Sequence, residues 1–464
     1  MVGMTRPAWV MRGAAVRRGS IEMVAYRGRP GRAIRKGDPA RVAEVGGPFE
    51  ANPPGVPIPS HNTRMTPTDP PPLLVFADDW GRHPSSCQHL IRQLLPRRAV
   101  WWVNTIGTRP PRLDWGTVKR AAGKLRGWMG FRKTSSPLTP LPQGEGGTNP
   151  TVLSPKMWPS FKSGFARGLN HRLLLRALRP AVAAMPRSPV VVTTLPLVAD
   201  LVGTLPVAKW VYYCVDDFSV WPGYDGATML RMEQELVPKV DAVVAVSETL
   251  QRHVAALGKP AHLLTHGVDL AHWAAPPVAG MPAEFAGLEP PILLFWGVID
   301  RRMDTAFVRE LTASLSAGTV VLIGPKEDPD PELLRLPRVV VRPPVPFARL
   351  PALASAAGVL VMPYIDAPVT RAMQPLKFKE YLATGKPAVV RALPATRPWA
   401  DAADTADTAA DFAAAVRMRV AVGISDAQRS ARLRLSGESW AGKAAEFESW
   451  MNCDSVPSHR PILS

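Results

Sequence analysis

Residues 374–387 read QPLKFKEYLATGKP, and this stretch says more about the fold than any other. It follows an apolar run at 359–361 that is typical of a buried strand. Pro375 suits the first turn of a helix, and Gly385 ends that helix before the next apolar run, 388–390. The pattern predicts a strand, a helix and a second strand, with the helix beginning at the carboxyl end of a parallel strand.

The same alternation of apolar runs and helical stretches continues on both sides of this segment. It divides the chain into a first half at 73–275 and a second half at 289–424, followed by closing helices at 425–453 and a tail at 454–464. Runs that are apolar throughout predict parallel strands covered on both faces. We therefore expect an α/β fold with two Rossmann-like parallel-sheet domains that face a cleft. The predicted strands are 73–77, 100–103, 190–192, 210–215, 242–246 and 263–264 in the first half, and 292–296, 320–323, 339–341, 359–361 and 388–390 in the second.

Two segments lack the pattern of a folded core. Residues 1–72 place arginines among glycines and prolines without apolar periodicity, which predicts a disordered basic leader. Residues 133–150 form a low-complexity stretch that predicts an inserted surface loop. Much of the net charge of +18 lies in the leader, so nucleic-acid binding through its arginines is an alternative that concerns the leader alone.

Composition excludes several classes of protein. The chain has three cysteines, Cys87, Cys214 and Cys453, too few and too far apart for a disulfide framework or a paired CxxC metal site. No stretch reaches about 18 uninterrupted apolar residues, so a membrane-spanning helix is not expected. A cytoplasmic location fits best, with a peripheral contact on the inner face of the membrane as a further expectation.

The helix predicted from Gln374 onward carries the strongest candidate site. A helix N-terminus at the end of a parallel strand attracts phosphate through its free N–H groups and its dipole. Lys377 lies in the first turn, where the dipole disfavours a cation unless an anion is bound. Glu380, one turn further on, can accept two hydrogen bonds from a ribose diol. The alternative is a solvated helix on which both side chains are simply exposed.

This segment resembles the nucleotide-binding element of GT-B glycosyltransferases related to the large family of retaining hexosyl and mannosyl transferases. Members of that family often read P-x-K-x-x-E-Y-L-A-x-G-x-P here, and the resemblance extends over most of 73–451. It implies that Glu380 contacts the donor ribose and that Lys377 lies near the diphosphate, with Pro375 and Leu376 in the same element. Ala372 stands where the family often has another glutamate.

Two further turns belong to the predicted donor site. Residues 295–304, FWGVIDRRMD, contain a turn at Gly297 in which the family usually places a basic residue. Arg301 is the candidate that offsets charge on a departing diphosphate. An ordinary surface arginine is the alternative at this turn, and Arg302 is read in that way. His266 replaces the asparagine of the family's N-G-V-D turn, which implies a place near the donor.

The acceptor side is predicted from two strand ends of the first half. Asp216 and Asp217 follow the strand at 210–215, and either carboxylate can orient an acceptor hydroxyl or take its proton, although capping of the next segment is an equal alternative. The loop at 78–86 follows the first strand and contains His83 as a candidate base, with a surface histidine or a helix cap at Ser85 or Ser86 as alternatives.

These residues predict a glycosyltransferase that moves a hexose-type sugar from a nucleoside diphosphate sugar to a glycan, lipid-linked or small-molecule acceptor. No HExxH or CxxC motif argues for a metal, so neither a metal nor a cofactor is expected beside the donor substrate. A specific nucleic-acid partner is not expected either. A sugar-nucleotide epimerase with the same architecture and an inactive nucleotide-sugar-binding protein are the alternatives.

Overall fold

Two parallel β-sheets, one in each half of the chain, form the frame of the molecule. The computed structural model describes residues 70–82, 84–104, 149–274 and 280–452. The predicted leader up to residue 69, the insertion up to residue 148, the tail from residue 454 and His83 lie outside these described residues, so the expectations for them stay predictions.

The first sheet has seven strands in the order β3-β2-β1-β4-β5-β6-β7, and all of its pairs are parallel. The central strand, β4, and its neighbour β1 are buried along their whole lengths, as their apolar sequences predict. The strands are β1 Leu73–Ala77, β2 Val100–Asn104, β3 Thr151–Leu153, β4 Val190–Thr193, β5 Lys209–Cys214, β6 Ala242–Ala245 and β7 His262–Leu263.

The helices of the first half begin at residues whose side chains cap the free backbone N–H groups. Ser85 accepts a hydrogen bond from the backbone of Gln88, so the alternative of a cap at Ser85 is confirmed. Ser163, Asp225 and Ser247 act in the same way at the next three helices. The helices are α1 Ser86–Leu94, α2 Gly164–Ala183, α3 Gly226–Leu236, α4 Glu248–Ala256 and the single turn α5 Leu270–Trp273.

The second sheet has six parallel strands in the order β12-β10-β8-β13-β14-β15, and β9 and β11 pair separately as a small two-stranded sheet. Every predicted strand of this half is confirmed to within a residue. The strands are β8 Ile292–Trp296, β9 Ile299–Asp300, β10 Thr319–Ile323, β11 Lys326–Glu327, β12 Val339–Arg342, β13 Val359–Met362, β14 Ala388–Arg391 and β15 Asp404–Ala406.

The helices of the second half include the one predicted from 374–387. It begins at Leu376 with Pro375 as its N-cap residue, two residues later than the predicted start at Gln374, because the proline ring fixes an extended entry into the first turn. Gly385 adopts a left-handed conformation and ends it as predicted. The helices are α6 Thr305–Ser314, α7 Leu350–Ala356, α8 Pro368–Ala372, α9 Leu376–Ala383, α10 Ala409–Val422, α11 Asp426–Ala431 and α12 Trp440–Asn452.

The last helix, α12, returns to the first half and packs beside α1. Its apolar side chains join the core of the first sheet. The Arg98 guanidinium, which is buried, donates to the Glu448 carboxylate at 2.7 Å, to the Asn452 side chain at 2.6 Å and to the Pro71 carbonyl at 3.1 Å. The end of the described chain is therefore held on the first half by apolar packing and by one buried arginine. None of the described helices is long and apolar enough to cross a membrane.

Arg98 and its neighbour Arg97 provide a matched test of this attachment. Both contact Glu448, but the Arg98 side chain is 0% exposed and that of Arg97 is 56% exposed. Arg98→Met removes three hydrogen bonds of a buried guanidinium and leaves the half-buried Glu448 carboxylate with Arg97 alone, so we expect it to lower the free energy of unfolding by about 3 kcal/mol. Arg97→Met should cost less than about 1 kcal/mol. Urea unfolding measures both, and equal losses would show that the buried contacts of Arg98 do not secure α12.

Candidate active site

A cavity of about 400 Å³ lies between the two halves, at the carboxyl ends of both sheets. The first half contributes the loop before α1, the end of β5 and the turn at His266, and the second half contributes the remaining wall. Of the predicted site residues, the cavity wall brings together Asp216, His266, Gly297, Pro375, Leu376, Lys377 and Glu380.

Lys377 occupies a corner that Gly297 keeps open. Its ammonium donates to the Tyr364 hydroxyl and lies 5.0 Å from the centre of the Phe295 ring. A Cβ atom at position 297 would come within 2.6 Å of Cε of Lys377, and Gly297 has a φ of +132°, which favours glycine. Among the described residues no carboxylate pairs with Lys377. An uncompensated cation therefore faces the cavity in the first turn of α9.

Glu380 points into the same cavity one helical turn later. The indole Nε1 of Trp296 donates to its Oε2 atom at 3.1 Å, and the other carboxylate oxygen has no protein donor among the described residues. Burial raises the pKa of Glu380 to about 7, while the Trp296 hydrogen bond and the Lys377 charge lower it in part. The carboxylate has not turned out to solvent, so the alternative of a merely exposed helix face is wrong for Glu380.

The two arginines that follow β8 have the opposite surroundings to those expected: Arg302 lines the cavity, and Arg301 lies on the surface. Arg302 is buried on the cavity wall, where it makes a bidentate pair with Asp300 and lies 4.7 Å from the centre of the Trp221 ring. Arg301 is exposed and lies 3.6 Å from Asp328. Asp300 ends strand β9 and opens a tight turn, in which the Arg302 N–H donates to the Asp300 carboxylate at 2.9 Å and the Met303 N–H donates to the Asp300 carbonyl at 3.1 Å. This turn brings the Arg302 guanidinium to Asp300, while Arg301 stays exposed. The expectation that Arg302 is a surface arginine is wrong.

Asp216 and Asp217, which the sequence does not separate, have different surroundings. Asp217 accepts hydrogen bonds from the backbone and hydroxyl of Ser219, which is the capping alternative. Asp216 instead lines the cavity. Its burial raises its pKa to about 7, the Arg302 charge lowers it in part, and the Asp217 charge adds to the rise. Asp216 is therefore the carboxylate that can exchange a proton in the cavity near neutral pH.

His266 lines the cavity as a buried, neutral imidazole. Neither ring nitrogen has a hydrogen-bonding partner among the described residues. Burial and, to a smaller extent, the charge of Lys379 lower its pKa to about 3. Lys379 also fixes the backbone of this turn, because its ammonium donates to the His266 carbonyl and to Glu438, each at 2.5 Å. The turn that carries the histidine is thus held in place at the cavity wall.

Two further expectations concern absent groups. Ala372 is buried in α8, where its carbonyl accepts a hydrogen bond from the Ser247 hydroxyl, so no carboxylate reaches the cavity from this position. Among the described residues no group of three or more histidine, cysteine or acidic side chains is arranged to hold a metal ion. Whether the reaction needs a metal stays a prediction.

Comparison with known proteins is informative at the level of fold. The sucrose-phosphate synthase of Thermosynechococcus elongatus matches 82% of this chain and 98% of its own length, with a TM-score of 0.58 and 16% identity. HepE of Anabaena, solved with UDP and glucose, matches 82% of this chain and 100% of its own length, with a TM-score of 0.54 and 12% identity. A UDP-forming α,α-trehalose-phosphate synthase of Burkholderia xenovorans matches 83% of this chain and 99% of its own length, with a TM-score of 0.55 and 10% identity.

The chain has the GT-B fold. Among curated proteins, it is 28% identical over 172 residues to TuaH of Bacillus subtilis (strain 168), provisionally named a teichuronic acid biosynthesis glycosyltransferase. That match spans 35% of this chain and 43% of TuaH, so less than half of the relative is covered. No protein-family model matches the sequence. The expected architecture of two Rossmann-like domains around a cleft is confirmed.

Several residues of this GT-B cleft were not expected from the sequence. Trp296 and Tyr364 position Glu380 and Lys377. Arg302 is held by Asp300, and an aspartate at the start of a turn was the available signal for it. Trp296 ends an apolar strand and Tyr364 follows another, and nothing in an apolar run shows which aromatic side chain carries a hydrogen bond into a cavity.

The raised pKa of Glu380 has a consequence for stability. A carboxyl group whose pKa is higher in the folded than in the unfolded state stabilises the fold below its unfolded value, about 4.5, and this contribution disappears as the pH rises through about 7. Glu380→Gln removes that pH dependence. As the pH rises from 4.5 to 8, the free energy of unfolding of the variant should therefore increase by roughly 2 kcal/mol relative to that of the native protein. The titration of Asp216 contributes equally to the stability of both proteins, so it cancels from the difference.

Urea unfolding of the two proteins across this pH range measures the difference. If the difference between Glu380→Gln and the native protein is the same at pH 5 and pH 8, the carboxylate is not desolvated.

Proposed function

We propose that the chain is a glycosyltransferase that takes a hexose-type sugar from a nucleoside diphosphate sugar. The observation that carries this proposal is the placement of an ammonium without an ion pair among the described residues, Lys377, and a half-buried carboxylate, Glu380, one turn apart on the cavity wall. In a nucleoside diphosphate the diphosphate and the ribose diol are adjacent. A cation beside a helix N-terminus can bind the diphosphate, and a carboxylate can accept hydrogen bonds from the ribose diol.

The rest of the cavity suits the other parts of such a donor. Pro344, Val345 and Phe347 form an apolar part of the wall on which a base can pack. HepE was solved with UDP, and the trehalose-phosphate synthase is described as UDP-forming. Uridine diphosphate is therefore the first nucleotide to test.

Transfer requires that charge be stabilised on the departing diphosphate. As the acceptor oxygen bonds to the anomeric carbon, the bond from that carbon to the diphosphate oxygen breaks and its electron pair stays on the diphosphate. Lys377 and the N-terminus of α9 oppose this negative charge, which requires no metal in our proposal. Arg302 contributes less, because Asp300 already holds its guanidinium in a bidentate pair.

Asp216 is the group we assign to the acceptor proton. Its pKa of about 7 leaves it partly ionised at neutral pH, so it can accept the proton of the attacking hydroxyl. Trp221 beside it offers an aromatic face to a sugar. The acceptor is a glycan, a lipid-linked sugar or a small molecule. A cytoplasmic location, with a peripheral contact on the inner membrane face, completes the proposal.

Two other functions would use the same cavity. A nucleotide-sugar-binding protein without turnover is compatible with the buried Ala372, which leaves the position of the family's second glutamate without a carboxylate. An epimerase is disfavoured, because the similar proteins named above are synthases and a glycosyltransferase by description.

A panel of nucleotide sugars distinguishes these functions. Calorimetry with UDP-, GDP- and ADP-sugars should give binding for one base, and prolonged incubation should release free sugar and the nucleoside diphosphate by slow donor hydrolysis. Formation of an epimer would indicate the epimerase, and binding without any release would indicate the inactive protein. No binding by any member of the panel would overturn the proposal.

Variants at the Lys377 corner test the assigned donor contacts. Lys377→Met should weaken donor binding by about tenfold or more, since it removes a charge-assisted contact to phosphate. Gly297→Ala should also weaken it, because the new Cβ displaces the lysine side chain. Gly258→Ala is the matched control: Gly258 also has a positive φ, +96°, but its Cβ would meet nothing within 4 Å. Equal donor affinity in Gly297→Ala and Gly258→Ala would contradict the role of the corner.

A further inference from the structure

The region from Asn149 to Ala199 has an unusual distribution of charge. It contains seven lysines and arginines and no aspartate or glutamate. Helix α2 lies inside it and carries four of the arginines. Of these, Arg167 is held by Asp200 and Glu235. Arg172, Arg176 and Arg179 are exposed, and they form no ion pair with any carboxylate of the described residues.

These three arginines share one side of α2 with a phenylalanine. At about 100° per residue, Phe165, Arg172, Arg176 and Arg179 fall within roughly 40° of a common direction, and we call these four residues the outer stripe. The buried residues Asn170, Leu174 and Leu178 occupy the opposite side. The outer stripe is about 20 Å long, because each residue of a helix advances the chain by about 1.5 Å.

A large apolar side chain is exposed at the N-terminal end of this stripe. Phe165 is 81% exposed. Trp158 is 52% exposed, but its backbone N–H donates to the Asn170 side chain at 2.6 Å and its carbonyl accepts from the same amide at 3.1 Å, which anchors it on the opposite side of α2. Phe165 is therefore the exposed aromatic residue that lies in line with a row of arginines that have no partners within the described residues.

We propose that the outer stripe docks on the surface of an anionic lipid bilayer. Arginines along the stripe would pair with lipid phosphates, and Phe165 would enter the interfacial layer, where aromatic side chains partition favourably. A nucleic-acid duplex supplies phosphates but no apolar layer for Phe165. A second copy of the chain is disfavoured because two such stripes repel each other.

Other large apolar side chains of the described chain are exposed as well, among them Val422 at 67% and Met281 at 62%. Leu433 is 75% exposed, but the arginines around it are neutralised, since Arg429 pairs with Asp426 and Arg434 pairs with Asp401. Exposure alone therefore does not distinguish the outer stripe. Its distinguishing feature is the combination of an exposed aromatic residue with a row of cations that have no described partner.

Vesicle co-sedimentation of the full chain tests this docking. Binding to phosphatidylcholine vesicles that contain phosphatidylglycerol should exceed binding to phosphatidylcholine alone and should fall as salt rises. The variant R172Q/R176Q/R179Q should bind anionic vesicles about 100-fold less, at about fivefold per arginine. Phe165→Ser should lower the affinity for anionic vesicles roughly tenfold and leave its salt dependence unchanged.

Matched controls separate the stripe from general charge and exposure. R252Q/R335Q/R417Q removes three other exposed arginines. Leu433→Ser removes a different exposed apolar side chain, and both variants should bind vesicles like the native protein. Donor affinity should be unchanged in every variant, which also reports correct folding and keeps this test independent of the proposed sugar transfer; of the proposed function, only the peripheral membrane contact depends on it.

Three results would overturn the docking proposal. One is native binding by R172Q/R176Q/R179Q, and another is an equal loss in R252Q/R335Q/R417Q. The third is loss of duplex DNA retention by R172Q/R176Q/R179Q with vesicle binding intact, which would assign the stripe to nucleic acid.

Discussion

The seating of helix α9 against the second sheet is the constraint on which the site depends. Phe378, Tyr381 and Leu382 are buried in the core of that sheet, which fixes the rotation of the helix about its axis. With that face inward, Lys377 and Glu380, three residues apart, both face the cavity. The position and the direction of the two groups thus follow from hydrophobic burial on the other side of the same helix.

The same helix also connects the two halves. Lys379 points away from Lys377 and holds the turn at His266 and the carboxylate of Glu438. Because burial lowers the pKa of Lys379 to about 8, its charge is retained at neutral pH chiefly through Glu438. On the far side of the cleft, Arg302 contacts Trp221 of the first half. The cavity walls from the two halves are therefore fixed by contacts at both ends, and α12 adds a third attachment through Arg98.

Much of the frame could be predicted from the sequence, and the failures have physical causes. Strands such as β1 and β8 are apolar throughout because both faces are covered, so their sequences are unambiguous. The short edge strands β3 and β15 and the pair β9 and β11 were missed, since two or three residues carry no periodicity. Lys377 and Glu380 were found because their spacing is helical. Arg301 was preferred to Arg302 because the turn in which Asp300 holds Arg302 was not recognised. Asp216 could not be separated from Asp217 because both follow the same strand.

The central claim is that a nucleoside diphosphate binds with its diphosphate at Lys377 and the N-terminus of α9 and with its ribose at Glu380. A crystal structure of the protein soaked with uridine diphosphate, or with the nucleotide that calorimetry selects, tests it most directly. We predict both ribose hydroxyls within hydrogen-bond distance of the Glu380 carboxylate and a phosphate oxygen within reach of the Lys377 ammonium. A nucleotide bound elsewhere in the cleft, with Glu380 still bonded only to Trp296, would contradict the account.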